Sequence, residues 1–219
     1  MPTGTKTTIL AIRHGETVWN AEKRYQGYGD SPLTETGRNQ ASALGRRLKR
    51  VQIDKVISSD LGRAQETASL VTDHTGHAVE IDSRLRERNY GVLEGLTVPE
   101  IKIRYADVLN HLDHNDPDYL VPEGESHRQH HRRIVSFMEE LIAQRSGAII
   151  AVVAHGGVLD CIFRYVAHLP LEQPRCFIIT NASLANISHG NYYGTVRWVI
   201  NSWGDTGHLD GIGTAPDTV

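Results

Sequence analysis

Two apolar, β-branched segments, one followed by Arg-His-Gly and the other by His-Gly, constrain the fold of this chain more than any other feature. Residues 7–12 lead into Arg13-His14-Gly15, and residues 148–154 lead into His155-Gly156. A continuous apolar run of this length is typical of a strand buried on both faces of a sheet. Ligands of open α/β sheets bind at the carboxyl ends of the strands. We therefore expect both histidines at one edge of a sheet, in a site suited to a phosphate.

The composition excludes several classes of protein. The chain has 219 residues, a formal net charge of −3, 39% apolar residues and 22% charged residues. This balance is typical of a soluble globular protein and gives no support for a nucleic-acid or membrane surface as partner. The two cysteines, Cys161 and Cys176, do not form a disulfide framework or a metal-ligand spacing. The polar first residues lack an apolar signal core, and no run is long enough to span a bilayer, so we expect a cytoplasmic enzyme.

Alternating strand and helix patterns predict an α/β fold. We expect a three-layer αβα sandwich with a mostly parallel central sheet, helices on both faces and a small inserted cap. The whole chain, 1–219, is expected to form a single domain with a cap at about 96–130 and a short tail after about 209. Within the cap, apolar spacing from Ile101 to Leu112 predicts one short helix. Near the end, residues 183–188 and 195–199 predict an antiparallel pair joined by a turn at 189–191.

The predicted strand ends and loops carry side chains that suit metal-free phosphoryl transfer. Arginine binds two phosphate oxygens through a planar fork of donors, and it keeps its charge. A histidine can accept the phosphoryl group, and a carboxylic acid can protonate the departing alkoxide and then activate water. The candidates for these roles are Arg13, His14, Arg63, Glu87 and His155.

An ordered set of motifs makes this interpretation more specific. The chain carries Ile12-Arg13-His14-Gly15-Glu16-Thr17 with Trp19-Asn20, Tyr25-Gln26-Gly27, Leu33-Thr34-Glu35-Thr36-Gly37 with Gln40-Ala41, residues 58–68, residues 85–91 with Glu94-Gly95, Gly124-Glu125-Ser126, Val153-Ala154-His155-Gly156-Gly157 and Asn181-Ala182-Ser183-Leu184. In this order the motifs span nearly the whole chain. The sequence resembles the histidine phosphatase superfamily, also called the phosphoglycerate mutase-like family.

The resemblance implies a role for each matching residue. His14 is expected to be the phosphorylated nucleophile and Glu87 the general acid and then base. The remaining residues expected to contact phosphate or substrate are Arg13, Arg63, His155, Gly156, Asn20, Gln26 and Gly27. The family implies no metal and no organic cofactor. The expected partner is a small phosphorylated substrate, with no nucleic acid and no membrane, and a homodimer is left open.

The resemblance covers phosphatases and cofactor-dependent phosphoglycerate mutases alike. Such mutases usually carry a longer basic segment, rich in tryptophan and proline, after the motif that ends at Gly91. Here that stretch is acidic and rich in histidine, and Gly157 stands where the mutases usually have asparagine. These differences favour a phosphomonoesterase. An acidic cap also argues against highly charged substrates, through repulsion of like charges.

Several alternatives remain at this point. Glu87 has Arg86 and Arg88 as neighbours, which would suit a surface ion pair, and Glu94 is a rival acid. The stretch at 111–118 has residue types that suit a divalent ion, but its spacing favours a solvated cap. The histidines at 127, 130 and 131 are expected in the exposed first turns of a helix. A non-catalytic phosphate-binding protein is a further alternative. The presence of both His14 and Glu87 argues against it, because such a protein would need the arginines but not the acid.

Overall fold

A six-stranded sheet forms the centre of the computed structural model, which describes residues 6–114 and 116–213. The strands are β1 (Thr7–Arg13), β2 (Lys55–Ser58), β3 (Val79–Ile81), β4 (Ile149–Ala154), β5 (Leu184–Tyr192) and β6 (Thr195–Asp205). Their order across the sheet is β3-β2-β4-β1-β5-β6. The first four of these are parallel, whereas β5 pairs antiparallel with both β1 and β6. The sheet is therefore mostly parallel, as predicted.

The two faces of the sheet are covered by different helices. The α-helices of the described residues are α1 (Val18–Ala21), α2 (Glu35–Leu48), α3 (Gly62–Thr75), α4 (Val98–Arg104), α5 (Ala106–Asp113), α6 (His127–Gln144) and α7 (Gly156–Ala167). Ile9 of β1 packs into a core cluster with α6 and α7, while its neighbour Leu10 packs into a second cluster with α2 and α3. Successive strand residues point to opposite faces, so a strand buried on both faces must be apolar throughout. The predicted three-layer sandwich is confirmed.

The cap segment between β3 and α6 has an apolar cluster of its own. Leu93, Ile101, Leu109 and Val121 are among its buried members. The prediction of one helix here is wrong, because the chain leaves the helical conformation at Tyr105 (φ −142°, ψ 44°) between α4 and α5. A continuous apolar spacing across such a break gives no sequence signal for it.

Two other local predictions are wrong. The histidines predicted in exposed turns of α6 are not exposed: His130 is buried, at 1% exposure, on the face of α6 that packs against the molecule, and His127 and His131 are half-buried. The predicted turn at 189–191 lies within β5, and the hairpin instead turns at Tyr193 and Gly194, both with positive φ. Of the expected tail, residues 214–219 lie outside the described residues, while the carbonyl of Gly213 accepts a hydrogen bond from Gln40 Nε2 at 3.0 Å. No helix in the described part of the chain is long and apolar enough to cross a membrane.

Candidate active site

The carboxyl ends of β1, β2 and β4 meet at one edge of the sheet, where backbone hydrogen bonds continue past the strands. The N–H of His14 donates to the Ala154 carbonyl at 2.9 Å, and the N–H of Ser59 donates to the Val153 carbonyl at 3.0 Å. The residues that follow the two apolar strands are thus brought together. The ring centroids of His14 and His155 are 5.2 Å apart.

His14 is buried, at 3% exposure, with one ring nitrogen fixed. Nδ1 lies 2.7 Å from the Gly15 carbonyl oxygen, which can only accept, so Nδ1 carries the proton and Nε2 keeps its lone pair. Burial is the main cause that holds the pKa of His14 well below 6.5, and the charges of Arg63 and Arg13 add to it. A neutral imidazole with a free lone pair is the form that acts as a nucleophile.

The backbone of His14 is also held in place. Its carbonyl oxygen accepts from Asn181 Nδ2 at 3.1 Å and from the N–H of Ala182 at 3.0 Å. Asn181 Nδ2 lies equally close to Asn20 Oδ1, so one amide links the nucleophile's backbone to the loop after β1. Asn181 begins one of the sequence motifs, but nothing in the motif itself marks this residue as part of the site.

Two buried arginines flank His14. Arg63 is 1% exposed, and it donates from Nη2 to the Gly27 carbonyl at 2.7 Å and from Nη1 to the Gly29 carbonyl at 2.9 Å. Its Nε has no hydrogen-bond partner among the described residues. Arg13 donates from Nη1 to the Ile179 carbonyl. Burial lowers the pKa of Arg63, yet a guanidinium stays charged at neutral pH, so both side chains supply fixed positive charge.

His155 lies behind this pocket, at 0% exposure. Its Nε2 is 2.8 Å from Ser59 Oγ, which already accepts the Leu61 N–H at 3.3 Å. The Ser59 hydroxyl can donate to Nε2 while it accepts the Leu61 N–H, and in that arrangement the proton of His155 is on Nδ1. That Nδ1 has no partner in the described part of the chain. Burial, followed by the charge of Arg63, lowers the pKa of His155 well below 6.5.

Glu87 lies on another side of the pocket, half-buried. Its Oε1 accepts the Arg88 N–H at 2.7 Å, and its Oε2 accepts the Gly157 N–H at 2.9 Å. A Cβ at position 157 would lie 2.2 Å from Oε1, so the carboxylate sits where only glycine leaves room. The neighbours suspected of an ion pair bind elsewhere: Arg86 Nε donates to Asp60 at 2.8 Å, and Arg88 Nε donates to the Glu125 carbonyl at 3.2 Å.

The segment that carries Glu87 is fastened to α6 by Arg133. Its Nη1 donates to the carbonyls of Arg84 at 2.6 Å and Arg86 at 2.9 Å, while Nη2 donates to Glu125 Oε1 at 2.6 Å. Glu125 Oε1 also accepts the Asn89 N–H at 2.9 Å. Arg133 carries no signal in the sequence, because its spacing is that of any arginine on the polar face of an amphipathic helix.

Glu94, the rival acid, has a structural task instead. Its Oε1 accepts the N–H groups of Tyr28 at 2.8 Å and Tyr90 at 3.0 Å, and its Oε2 accepts the Gly29 N–H at 2.7 Å. These bonds brace the loop that carries Gly27, whose positive φ (+56°) and close approach to Glu94 require glycine.

The pocket is also lined by residues expected at its mouth. Asn20, Gln26, Gly27 and Gly156 all lie in its wall. Side chains that the sequence analysis did not assign line it too: Trp19, Lys23, Arg24, Tyr25, Tyr90, Arg175 and Asn181. Several of these stand in the quoted motifs, whereas nothing in the sequence around Arg175 marks it.

Side chains of the His- and Asp-rich stretch at 111–118 form contacts with neighbouring residues of the cap and of α6. The rings of His111 and Tyr119 stack with centroids 4.1 Å apart, and Asp118 accepts from Arg128 Nε at 2.7 Å. Asn115 lies outside the described residues. Within residues 6–114 and 116–213, no group of three or more His, Cys, Asp or Glu side chains is arranged to hold a metal ion.

The sequence matches the family model of the Histidine phosphatase superfamily (branch 1) over residues 9–206. Among curated proteins, the chain is 36% identical over 203 residues to one named "Probable phosphoglycerate mutase GpmB" from Yersinia pestis (strain Pestoides F). That match covers 92% of this chain and 94% of the relative.

Solved structures give the same family. Bacillus stearothermophilus YhfR superposes with a TM-score of 0.83 and 32% identity, covering 93% of this chain and 99% of that one. A mycobacterial glucosyl-3-phosphoglycerate phosphatase, solved with VO3, superposes with a TM-score of 0.78 and 30% identity, covering 90% of this chain and 98% of that one. The matches extend over the strands, the helices and the motif residues gathered at the sheet edge, and the chain belongs to the histidine phosphatase superfamily.

Proposed function

We propose that this protein is a cytoplasmic phosphomonoesterase that hydrolyses small phosphorylated metabolites through a phosphohistidine at His14, without a metal. The observation that carries this proposal is the neutral His14, whose Nε2 keeps a lone pair between two fixed arginines. Cations placed where charge develops stabilise a phosphoryl group in its ground and transition states.

In the first step, His14 Nε2 attacks phosphorus and the bond from phosphorus to the ester oxygen breaks. Protonated Glu87 gives its proton to that oxygen, so the leaving group departs as a neutral alcohol. Arg13, Arg63 and the Nδ1 proton of His155 hold the phosphoryl oxygens. In the second step, the Glu87 carboxylate takes a proton from water, whose oxygen attacks phosphorus. The phosphorus–nitrogen bond breaks, its electron pair returns to Nε2, and phosphate leaves.

A cofactor-dependent phosphoglycerate mutase is the second candidate, and the name of the Yersinia relative favours it. In that case the phosphohistidine transfers its phosphoryl group to a hydroxyl group of the substrate instead of to water. The tight fit of Gly157 against Glu87 supports the phosphatase, because an asparagine at 157 would need Glu87 to move. The resemblance to a mycobacterial phosphatase supports the same choice.

The test is phosphate release from a panel of monoesters in chelator, with phosphoglycerate assayed with and without bisphosphoglycerate and His14→Ala run alongside. Release from one or more esters that is lost in the variant is the expected result. Isomerisation of phosphoglycerate with little release would move the assignment to the mutase. Phosphate binding without turnover of any ester would favour a phosphate-binding protein, and activity only with added divalent metal would contradict the mechanism.

A further inference from the structure

A second cavity opens beside the phosphate pocket, under the cap. Tyr25, Tyr90, Gly157 and Arg175 line both spaces, so the two lie side by side. We call the second one the side chamber, and its walls also include Arg88, His127, His130, Asp160 and Arg164. With the phosphoryl group held at His14, the rest of the substrate can extend past these shared residues towards the side chamber.

Positive charge dominates the inner wall of the side chamber. Arg164 Nε donates to Asp160 Oδ2 at 2.8 Å, and Arg175 Nε lies 3.7 Å from Asp160 Oδ1. One buried carboxylate therefore faces two guanidinium groups. Arg88 adds a third, while the other carboxylate in the wall, Asp116, is exposed at 44% of its side chain. A surplus of positive charge remains even though the chain as a whole carries −3.

Arg88 also has unused hydrogen-bonding capacity. It is 8% exposed, and its Nε is bound to the Glu125 carbonyl at 3.2 Å. Its Nη2 is buried and has no partner in the part of the chain that the structure describes. A buried charged donor without an acceptor is costly unless a ligand supplies one.

The two histidines of the chamber do not add charge near neutral pH. Burial lowers the pKa of His127 to about 4, and it holds the pKa of His130 well below 6.5. The arginines therefore set the sign of the chamber's potential. The acidic side chains of the cap do not reverse it, since Asp118 is bound outside the chamber by Arg128 at 2.7 Å. An acidic cap was expected to repel anionic substrates, but the wall of the side chamber carries more positive than negative side chains.

We propose that the side chamber holds an anionic group, a carboxylate or a second phosphate, on the alcohol portion of the substrate, with Arg88 and Arg175 as its cationic contacts. The inference deepens the proposed function and rests on it, because the phosphoryl group must lie at His14. The predicted substrate is a monoester whose alcohol carries a second negative charge close to the ester. Arg88 and Arg175 then determine specificity and take no part in bond breaking.

The test compares esters that differ only in the second anionic group. One pair is 3-phosphoglycerate and glycerol phosphate, in which a hydroxymethyl group replaces the carboxylate. The other pair is propane-1,3-diol bisphosphate and its monophosphate. Turnover is counted as phosphate released plus isomer formed. In one of the two pairs, we expect kcat/KM to be at least tenfold higher for the ester with the second anionic group, which corresponds to about 1.4 kcal/mol. The pair that shows this preference tells whether the chamber binds a carboxylate or a phosphate.

The variants locate that preference. Arg88→Gln and Arg175→Gln should each reduce the ratio within the preferred pair at least threefold. The matched control is Arg197→Gln, which removes an exposed guanidinium on β6 that lies over Tyr193 and should leave the ratio as in the wild type. Ratios near one in the wild type, or a preference that survives both chamber substitutions, would overturn the inference.

Binding to His14→Ala separates this inference from the proposed function. Calorimetric titration with the same two pairs measures affinity without turnover. Tighter binding of the anionic member, weakened when Arg175→Gln is added, supports the side chamber even if no ester is hydrolysed. Hydrolysis without any difference in affinity or turnover within either pair supports the phosphatase and rejects the chamber's role.

Discussion

The phosphate pocket and the side chamber lie next to each other but are built differently. The pocket forms where buried strands end, and backbone hydrogen bonds between neighbouring strands fix His14 and its surroundings. The side chamber is assembled from side chains of the cap, α6, α7 and the loop that carries Arg175, which come from distant parts of the chain. A strand end imposes a position on whatever residue follows it, whereas a chamber of this kind can change its specificity by single substitutions.

The largest effect should follow from removing the nucleophile. His14→Ala is expected to lower kcat for ester hydrolysis on the order of 10⁴-fold or more, because no other group can carry the phosphoryl intermediate. The matched control is His77→Ala, since the ring of His77 also lies 2.7 Å from a backbone carbonyl, that of Ile53, but away from the pocket. Similar losses in both variants, measured by phosphate release on folded protein, would contradict the account.

The next largest effect tests the acid. Glu87→Gln keeps the shape of the side chain but cannot transfer the proton, so kcat for alkyl phosphates should fall roughly 10²- to 10⁴-fold. The loss should be much smaller for p-nitrophenyl phosphate in the phosphorylation step, since its leaving group departs without a proton. Equal losses on both substrates in single-turnover measurements would show that Glu87 has another role.

A third prediction concerns the position of that acid. Gly157→Ala places a Cβ 2.2 Å from where Glu87 Oε1 lies, so the carboxylate must move. We expect a loss of roughly 10²-fold in kcat with the same dependence on leaving group as Glu87→Gln, because a displaced catalytic group loses its alignment. A loss that is independent of the leaving group would argue for a general disturbance of α7 instead.

The smallest predicted effect belongs to the side-chamber wall. His130 is buried and neutral, with its pKa well below 6.5, so as pH falls below 6.5 the unfolded state binds a proton that the folded state does not. The free energy of unfolding should therefore decrease as pH falls from about 6.5 towards 5, with His130 contributing up to about 1.4 kcal/mol per pH unit.

His130→Gln should make that slope shallower, as measured by urea unfolding at a series of pH values. His114→Gln serves as the matched control, because it removes an exposed imidazole of the cap that does not line the side chamber. An unchanged slope in His130→Gln would mean that His130 takes up a proton in the folded state as readily as in the unfolded state.

The difference between the two regions also explains what the sequence could predict. Arg13 and His14 follow an apolar strand directly, so local pattern and sheet topology were enough to place them beside His155. The parallel sheet and its two helical layers followed from the same periodicity. Glu94 was left as a rival acid because two of its backbone partners, the N–H groups of Tyr28 and Gly29, are brought to it only by tertiary folding.

The cap gave weaker signals. Its helix breaks at Tyr105 within a continuous apolar spacing, and its acidic residues suggested a potential that the cavity wall does not have. The burial of His130 and the position of Arg175 depend on how α6, α7 and the following loop pack together. Composition of a segment cannot show which of its charges point inward, because that is decided by partners such as Arg128, which binds Asp118 only once α6 has packed against the cap.

The measurement that tests the central claim most directly is trapping of the covalent intermediate. The protein is mixed with a turned-over ester labelled in its phosphate and quenched within milliseconds into alkaline denaturant, because the phosphorus–nitrogen bond of phosphohistidine breaks in acid. Mass spectrometry of the resulting peptides then locates the label. The account predicts phosphate on His14, with none in His14→Ala. Two results would contradict it: a label on another residue, or active enzyme without label on His14 under conditions in which hydrolysis of the intermediate is slower than its formation.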